Sequence, residues 1–204
     1  MKTKFFLFDL DGTLVNSTKT IEAVWGEWCH KVNLNPSEVI SYCHGVRGQD
    51  IIKKFLPNAD VQREFEWLEH KELELSSLCT EVKGAKALLL SLPRDRWGIV
   101  TSATKKLAIE KLQVCDLPIP ELLVTSEQCC YGKPNPEPYL FAIDKLEAKA
   151  DDCIVFEDAN AGINSAIAAG CAVVCVGNPS YKQQGLIHIE NYDDVIFERG
   201  ELKI

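Results

Sequence analysis

Short apolar runs recur along the chain, and each is followed by a stretch whose apolar residues repeat with helical spacing. The runs are KFFLFD (4–9), WGIVTS (97–102), ELLVTS (121–126), CIVFED (153–158) and CAVVCV (171–176). GAKALLLSL, ahead of the second run, reads as a helix, as do the stretches near 104–113, 136–147 and 160–169, and Gly170 is placed to end the last of these. Near-continuous apolar strands alternating with helices specify a parallel sheet covered on both faces, so a doubly wound α/β domain is expected.

Residues 15–80 carry a different pattern, with no convincing strand. STKTIEAVWGEWCHKV sets Ile21, Val24, Trp25, Trp28 and Val32 on one helical stripe, with Ser17 or Thr18 as the expected cap and Glu22 in the first turn. Further helices are expected near 37–43, 48–56 and 59–76. The aromatic stripe reads as packing. A helical insert (15–80) therefore separates the first strand (1–14) from the rest of the sheet (81–204).

A chain of 204 residues suffices for a core plus a small second unit. The formal charge of -8 and the lack of any basic run argue against nucleic acid, and they leave an anionic substrate to be held by local cations or a metal. The apolar run before Asp9 is too short for a secretion signal, and no stretch approaches the about 18 apolar residues of a membrane span. A cytoplasmic monomer with no membrane partner is expected. The nine cysteines are odd in number and irregular in spacing, as suits reduced and mostly buried thiols. None is followed six positions later by arginine, which excludes thiol-phosphatase chemistry.

Open parallel sheets bind ligands beyond the carboxyl ends of their strands, and there the polar residues gather. Strand one ends in Asp9 and Asp11-Gly12-Thr13, the next in Thr101-Ser102, the fourth in Glu157-Asp158, while GKPNPEPY (132–139) puts Lys133 in a loop. Asp9 and Asp11, two apart on extended chain, face one side. Such close carboxylates repel unless a cation sits between them or one takes a proton. With Asp158 they form a hard oxygen set suited to Mg2+, and Lys133 with Thr101 or Ser102 offers donors for anionic oxygens. The bland readings are turn residues for Asp9 and Asp11, helix caps for Thr101, Ser102 and Asp158, and a solvated surface lysine for Lys133. Glu157 is open between a supporting and a plain polar role, and Asn160 is unassigned.

DLDGT (9–13), the Thr101-Ser102 pair, the lysine of GKPNPEPY and FEDANAGINSAIAAG (156–170) together resemble, in order, the four motifs of the haloacid dehalogenase superfamily. HGVRG (44–48) in the insert looks like the HGxR segment of its sugar-phosphatase, glycerol-phosphatase and beta-phosphoglucomutase-like branch. The resemblance implies a Rossmann-like core with a small all-helical cap domain. It also implies Mg2+-dependent hydrolysis of a small phosphorylated metabolite, a sugar or polyol phosphate. Asp9 would attack phosphorus. Asp11, starting protonated under the influence of Asp9 and partial burial, would serve as general acid and then base. The metal would be held by Asp9, Asp158 and the main-chain carbonyl of Asp11. Thr101, Ser102 and Lys133 would bind the phosphoryl group, and His44 and Arg47 the rest of the substrate. A phosphomutase would keep the same core motifs. Asp11 weighs against a dehalogenase, which has no alkoxide to protonate, and a catalytically silent binding module would have lost Asp9 or Asp11.

Overall fold

A computed structural model describes residues 5–177, 186–198 and 201–204; Lys4, at the head of the first apolar run, lies outside them. Strand β1 (Phe5–Phe8) leads through Val15–Asn16 (β2) into four helices: α1 (Thr18–Val32), α2 (Pro36–Cys43), α3 (Gly48–Phe55) and α4 (Val61–Leu75). The chain returns through β3 (Thr80–Glu81) and then alternates: α5 (Ala85–Ser91), β4 (Trp97–Val100), α6 (Lys105–Val114), β5 (Leu122–Val124), α7 (Glu137–Lys145), β6 (Cys153–Glu157), α8 (Asn160–Ala168) and β7 (Ala172–Val176). Strand β8 (Ile187–Ile189) and an antiparallel pair, β9 (Ile196–Glu198) with β10 (Glu201–Lys203), follow.

The main sheet runs β5-β4-β1-β6-β7-β8, and every pairing in it is parallel. Alternation in β1 sends Phe6 and Phe8 to one face and Leu7 to the other, so the sheet has two cores. Phe8 stacks on Phe156 at 4.7 Å on the first face, under α5 and α6. Leu7, Val100 and Val155 meet Tyr139 and Ile163 of α7 and α8 on the second. Each buried aromatic or aliphatic side chain contributes about 1.5–3 kcal/mol. The chain moves outward from β1 through β4 to β5 and then returns to β6 on the other flank of β1, which opens a crevice beyond the carboxyl ends of β1 and β6.

Helices α1–α4 pack around an apolar cluster of their own that includes Val24, Trp25, Trp28, Ile51, Ile52 and Leu68. The expected packing stripe of α1 is thus what it buries. Pro36 opens α2 with Asn35 capping Ser37 N, and Asp60 caps α4 through Arg63 N. Ser17 stands at the cap position of α1 without capping it; its hydroxyl is used elsewhere. The two chain segments joining the four helices to the sheet pair with each other, Val15 to Glu81 and Asn16 to Thr80. No strand was expected in residues 15–80, because a two-residue strand carries no periodic signal.

Candidate active site at the strand ends

Asp9 follows the last residue of β1, and its amide donates to Phe156 O at 3.0 Å. That bond seats the DLDGT segment beside the end of β6. Lys133, from the loop before α7, is buried below it. Its Nζ donates to Asp9 Oδ1 at 2.6 Å, to Glu157 Oε1 at 2.6 Å and to Val100 O at 2.8 Å. Tyr139 OH donates to the same Glu157 Oε1 at 2.5 Å. Burial alone would lower the Lys133 ammonium; Asp9 and Glu157 outweigh it and hold it above the usual lysine range. Burial, then Glu157, keeps Tyr139 far above the usual phenol range, so it remains a donor.

Asp158 extends the cluster. One oxygen each of Asp9, Glu157 and Asp158 lie within 4.8 Å of one another. Close approach is permitted by glycines: a Cβ on Gly12, whose φ is +86°, would stand 2.0 Å from Asp158 Oδ2, and one on Gly162 would stand 1.8 Å from Glu157 Oε1. Asp9 Oδ2 and Glu157 Oε2 are buried and have no hydrogen-bond partner among the described residues. Burial first and Glu157 second push Asp9 up to about 7, against the pull of Lys133. Burial, then Asp9 and Glu157, hold Asp158 well above the usual carboxylate range. Three carboxylates beside a single ammonium form a donor set that fits a hard divalent cation. Glu157, left open in the sequence, belongs to this group and to Lys133 at once.

Asp11 has a separate set of partners. Its Oδ1 accepts from Ser17 Oγ at 2.6 Å and from Lys111 Nζ at 2.6 Å. Lys111, on α6, is fully buried and also reaches Glu72 Oε2 of α4 at 3.2 Å. Burial would lower its ammonium, but Asp11 and Glu72 raise it above the usual range. Burial, opposed by Lys111, leaves the Glu72 carboxyl raised. Neither Lys111 nor Glu72 was among the candidates drawn from the sequence. A signal was present: Lys111 stands on the buried stripe with Leu107, Ala108 and Leu112, and Glu72 lies one turn beyond buried Leu68.

An inner chamber of about 70 Å3 is lined by Asp9, Asp11, Thr101, Ser102 and, from the helical insert, Trp25 and Glu72. An outer cleft of about 640 Å3 is lined by Gly12, Tyr42, Asp158, Asn160 and Asn164, and His44 lines both. Neither Thr101 nor Ser102 is the cap of α6; Thr104 is. Thr101 Oγ1 accepts from Ala103 N at 3.0 Å, and Ser102 Oγ donates to Gly45 O of the insert at 2.7 Å. His44 Nε2 lies 3.2 Å from Glu22 Oε1. Arg47 is not brought to either cavity. Its guanidinium donates to Asp50 at 2.7 Å and to the carbonyls of Cys129 and Cys130 at 3.0 and 3.1 Å, joining the insert to the loop that carries Lys133. All nine cysteines are free, and seven are buried.

This fold, with its acidic cluster at the switch point, defines a hydrolase of known lineage: residues 6–176 match the haloacid dehalogenase-like hydrolase family, and the chain belongs to it. Over 185 residues it is 40% identical to hexitol phosphatase A of Escherichia coli, spanning 88% of this chain and 86% of that protein. It is 34% identical to glycerol-1-phosphate phosphohydrolase 1 of Saccharomyces cerevisiae over 85% of this chain and 74% of the yeast protein. The fold is shared with a beta-phosphoglucomutase from Clostridium difficile at a TM-score of 0.84, with 21% identity, over 95% of this chain and 93% of that one. No helix among the described residues is long and apolar enough to cross a membrane.

Proposed function

We propose that the protein is a Mg2+-dependent phosphatase of small sugar or polyol phosphates that works through a phospho-aspartate on Asp9. The observation that carries this reading is the state of Asp9: Oδ1 is held by Lys133 at 2.6 Å, and Oδ2 is buried without a partner among the described residues. One oxygen is anchored and the other is left for phosphorus. The polyol class rests on the hexitol and glycerol phosphatases that the chain resembles over most of its length.

Asp9, Asp158 and Glu157, with the main-chain carbonyl of Asp11, would hold Mg2+, which when bound supplies positive charge to the ester oxygens and lowers the cost of ionising Asp9. Asp9 Oδ2 attacks phosphorus in line as the bond to the leaving alkoxide breaks. Asp11 gives that alkoxide a proton. Asp11 then takes a proton from the water that hydrolyses the acyl phosphate, and phosphate departs. Lys133 and the hydroxyl and amide donors around Thr101 and Ser102 stabilise the phosphoryl oxygens. Such electrostatic terms must be large, since monoester hydrolysis can need acceleration of up to about 10^21-fold.

Residues 15–80 act as a cap. The inner chamber of about 70 Å3 is well below the roughly 300 Å3 of an ordinary ligand pocket, so substrate enters only when these helices lift away. The paired strands at Val15–Asn16 and Thr80–Glu81 form the hinge. His44, at the passage between the cavities, contacts the polyol, while Arg47 latches the cap to the Lys133 loop.

Phosphate release from hexitol, glycerol and deoxysugar phosphates, with Mg2+ and with EDTA, tests the assignment. We expect turnover that EDTA abolishes and a phosphoryl group recovered on Asp9 after acid quench. Activity retained by Asp9→Asn would overturn it, and an isomerised ester with no free phosphate would make the protein a mutase.

A further inference from the structure

Lys111 lies among Leu107, Ala108 and Leu112 and is as buried as they are. A charge on an apolar stripe costs desolvation, and an apolar pair in place of a buried ion pair is often as stable or more so. Packing α6 against the insert therefore does not require Lys111 and Glu72. What an apolar pair would not do is grip Asp11. Lys111 Nζ and Ser17 Oγ, both at 2.6 Å, converge on Asp11 Oδ1, and among the described residues no donor reaches Oδ2. The arrangement repeats that at Asp9, where an ammonium shared with a second carboxylate anchors Oδ1. At Asp11, however, the second carboxylate comes from the helical insert. Glu72 offsets the charge of Lys111, which then acts on Asp11 as a directional donor.

We propose that Lys111 is a positioning residue that fixes Asp11 through Oδ1 so that Oδ2 meets the leaving oxygen, and that Glu72 completes this grip only when the insert is seated on the core. The inference rests on the phosphatase reading above. In that reaction the bond from phosphorus to the leaving oxygen breaks as the bond to Asp9 Oδ2 forms, and the proton on Asp11 passes to the leaving oxygen. In kcat/KM, which ends at release of the leaving group, a misplaced Asp11 is therefore costly only where the leaving group needs that proton; the later proton transfer from water is common to every ester. An alkoxide does; a nitrophenolate, already a stable anion, does not.

The test compares kcat/KM for glycerol phosphate and 4-nitrophenyl phosphate at saturating Mg2+. Lys111→Met should lose about 100-fold or more on the alkyl ester, the size of a general-acid contribution, and far less on the aryl ester. Lys111→Arg, which keeps a cation with several donors, should recover at least about tenfold of that loss. Glu72→Gln should show a smaller loss with the same bias towards the alkyl ester. Equal losses on both esters, or no loss on either, would overturn the proposal, because a merely structural lysine is blind to the leaving group. If Lys111→Met does not fold, the same ratio in Glu72→Gln and Lys111→Arg decides. If the wild-type protein hydrolyses neither ester, the phosphatase reading itself falls, and the role of Lys111 falls with it.

Discussion

Replacing Asp9 with asparagine is expected to abolish turnover and, in the absence of metal, to make the protein more stable at pH 8. Burial first and then Glu157 push the Asp9 carboxyl from its ordinary 3.8 up to about 7, with Lys133 opposing. Between those values the folded protein holds a proton that the unfolded chain has lost. The contribution of Asp9 to stability is therefore complete below about pH 4, and it is lost as the pH rises through about 7. That gap of about three pH units corresponds to roughly 4 kcal/mol. The pull of Lys133 is already counted in that value, and protonated Asp9 is as neutral an acceptor as asparagine, so the variant avoids nearly the whole loss and gains about 4 kcal/mol at pH 8. In a chain of this size such a gain raises Tm by about 8–16 °C. Calorimetry in EDTA should show Asp9→Asn melting above wild type at pH 8, with the difference closing towards pH 4. Mg2+ should shrink or invert the gap, since only the wild type offers the full set of carboxylates. A variant no more stable than wild type at pH 8, or one with the same gain at both pH values, would refute the reasoning.

Lys133→Met leaves Asp9 and Glu157 without their ammonium; about 3–5 kcal/mol of stability should be lost near pH 8 and less near pH 5, where Asp9 holds its proton, as urea titrations at the two pH values would show. Gly12→Ala puts a Cβ 2.0 Å from Asp158 Oδ2 at a φ of +86°; displacement of that carboxylate should weaken apparent Mg2+ affinity at least about tenfold, and an unchanged Mg2+ titration would count against Asp158 as a ligand. Arg47→Ala removes the bonds to the carbonyls of Cys129 and Cys130; amide exchange in residues 129–132 and along the insert should quicken by roughly 30-fold, the effect of two hydrogen bonds of about 1 kcal/mol each, while exchange in β1 stays unchanged.

The elements were legible because each is encoded by neighbours in the chain. Apolar runs marked β1, β4, β5, β6 and β7, and helical spacing marked α1–α8. The short strands β8, β9 and β10 escaped notice; three-residue segments with exposed positions carry little pattern. The DLDGT carboxylates, Lys133 and Asp158 were legible too, since each stands where an apolar run stops or a loop begins. Local order thus placed these charged groups at one end of one sheet.

Which charge meets which was decided only in three dimensions. Lys133 and Asp9 are 124 residues apart, Lys111 and Asp11 are 100 apart, and Lys111 and Glu72 are 39 apart. Their partnership depends on the strand order β4-β1-β6 and on how the insert sits, and neither leaves a trace in local periodicity. The same holds for Arg47, a candidate substrate contact by its motif, whose hydrogen bonds run to carbonyls of the Lys133 loop. Sequence alone determined strands β1 and β4–β7, helices α1–α8 and the acidic and basic groups at the strand ends, because backbone geometry links adjacent residues directly. Tertiary structure assigned the ion partners, because a buried charge is stabilised by whichever opposite charge the completed fold brings within a few ångströms.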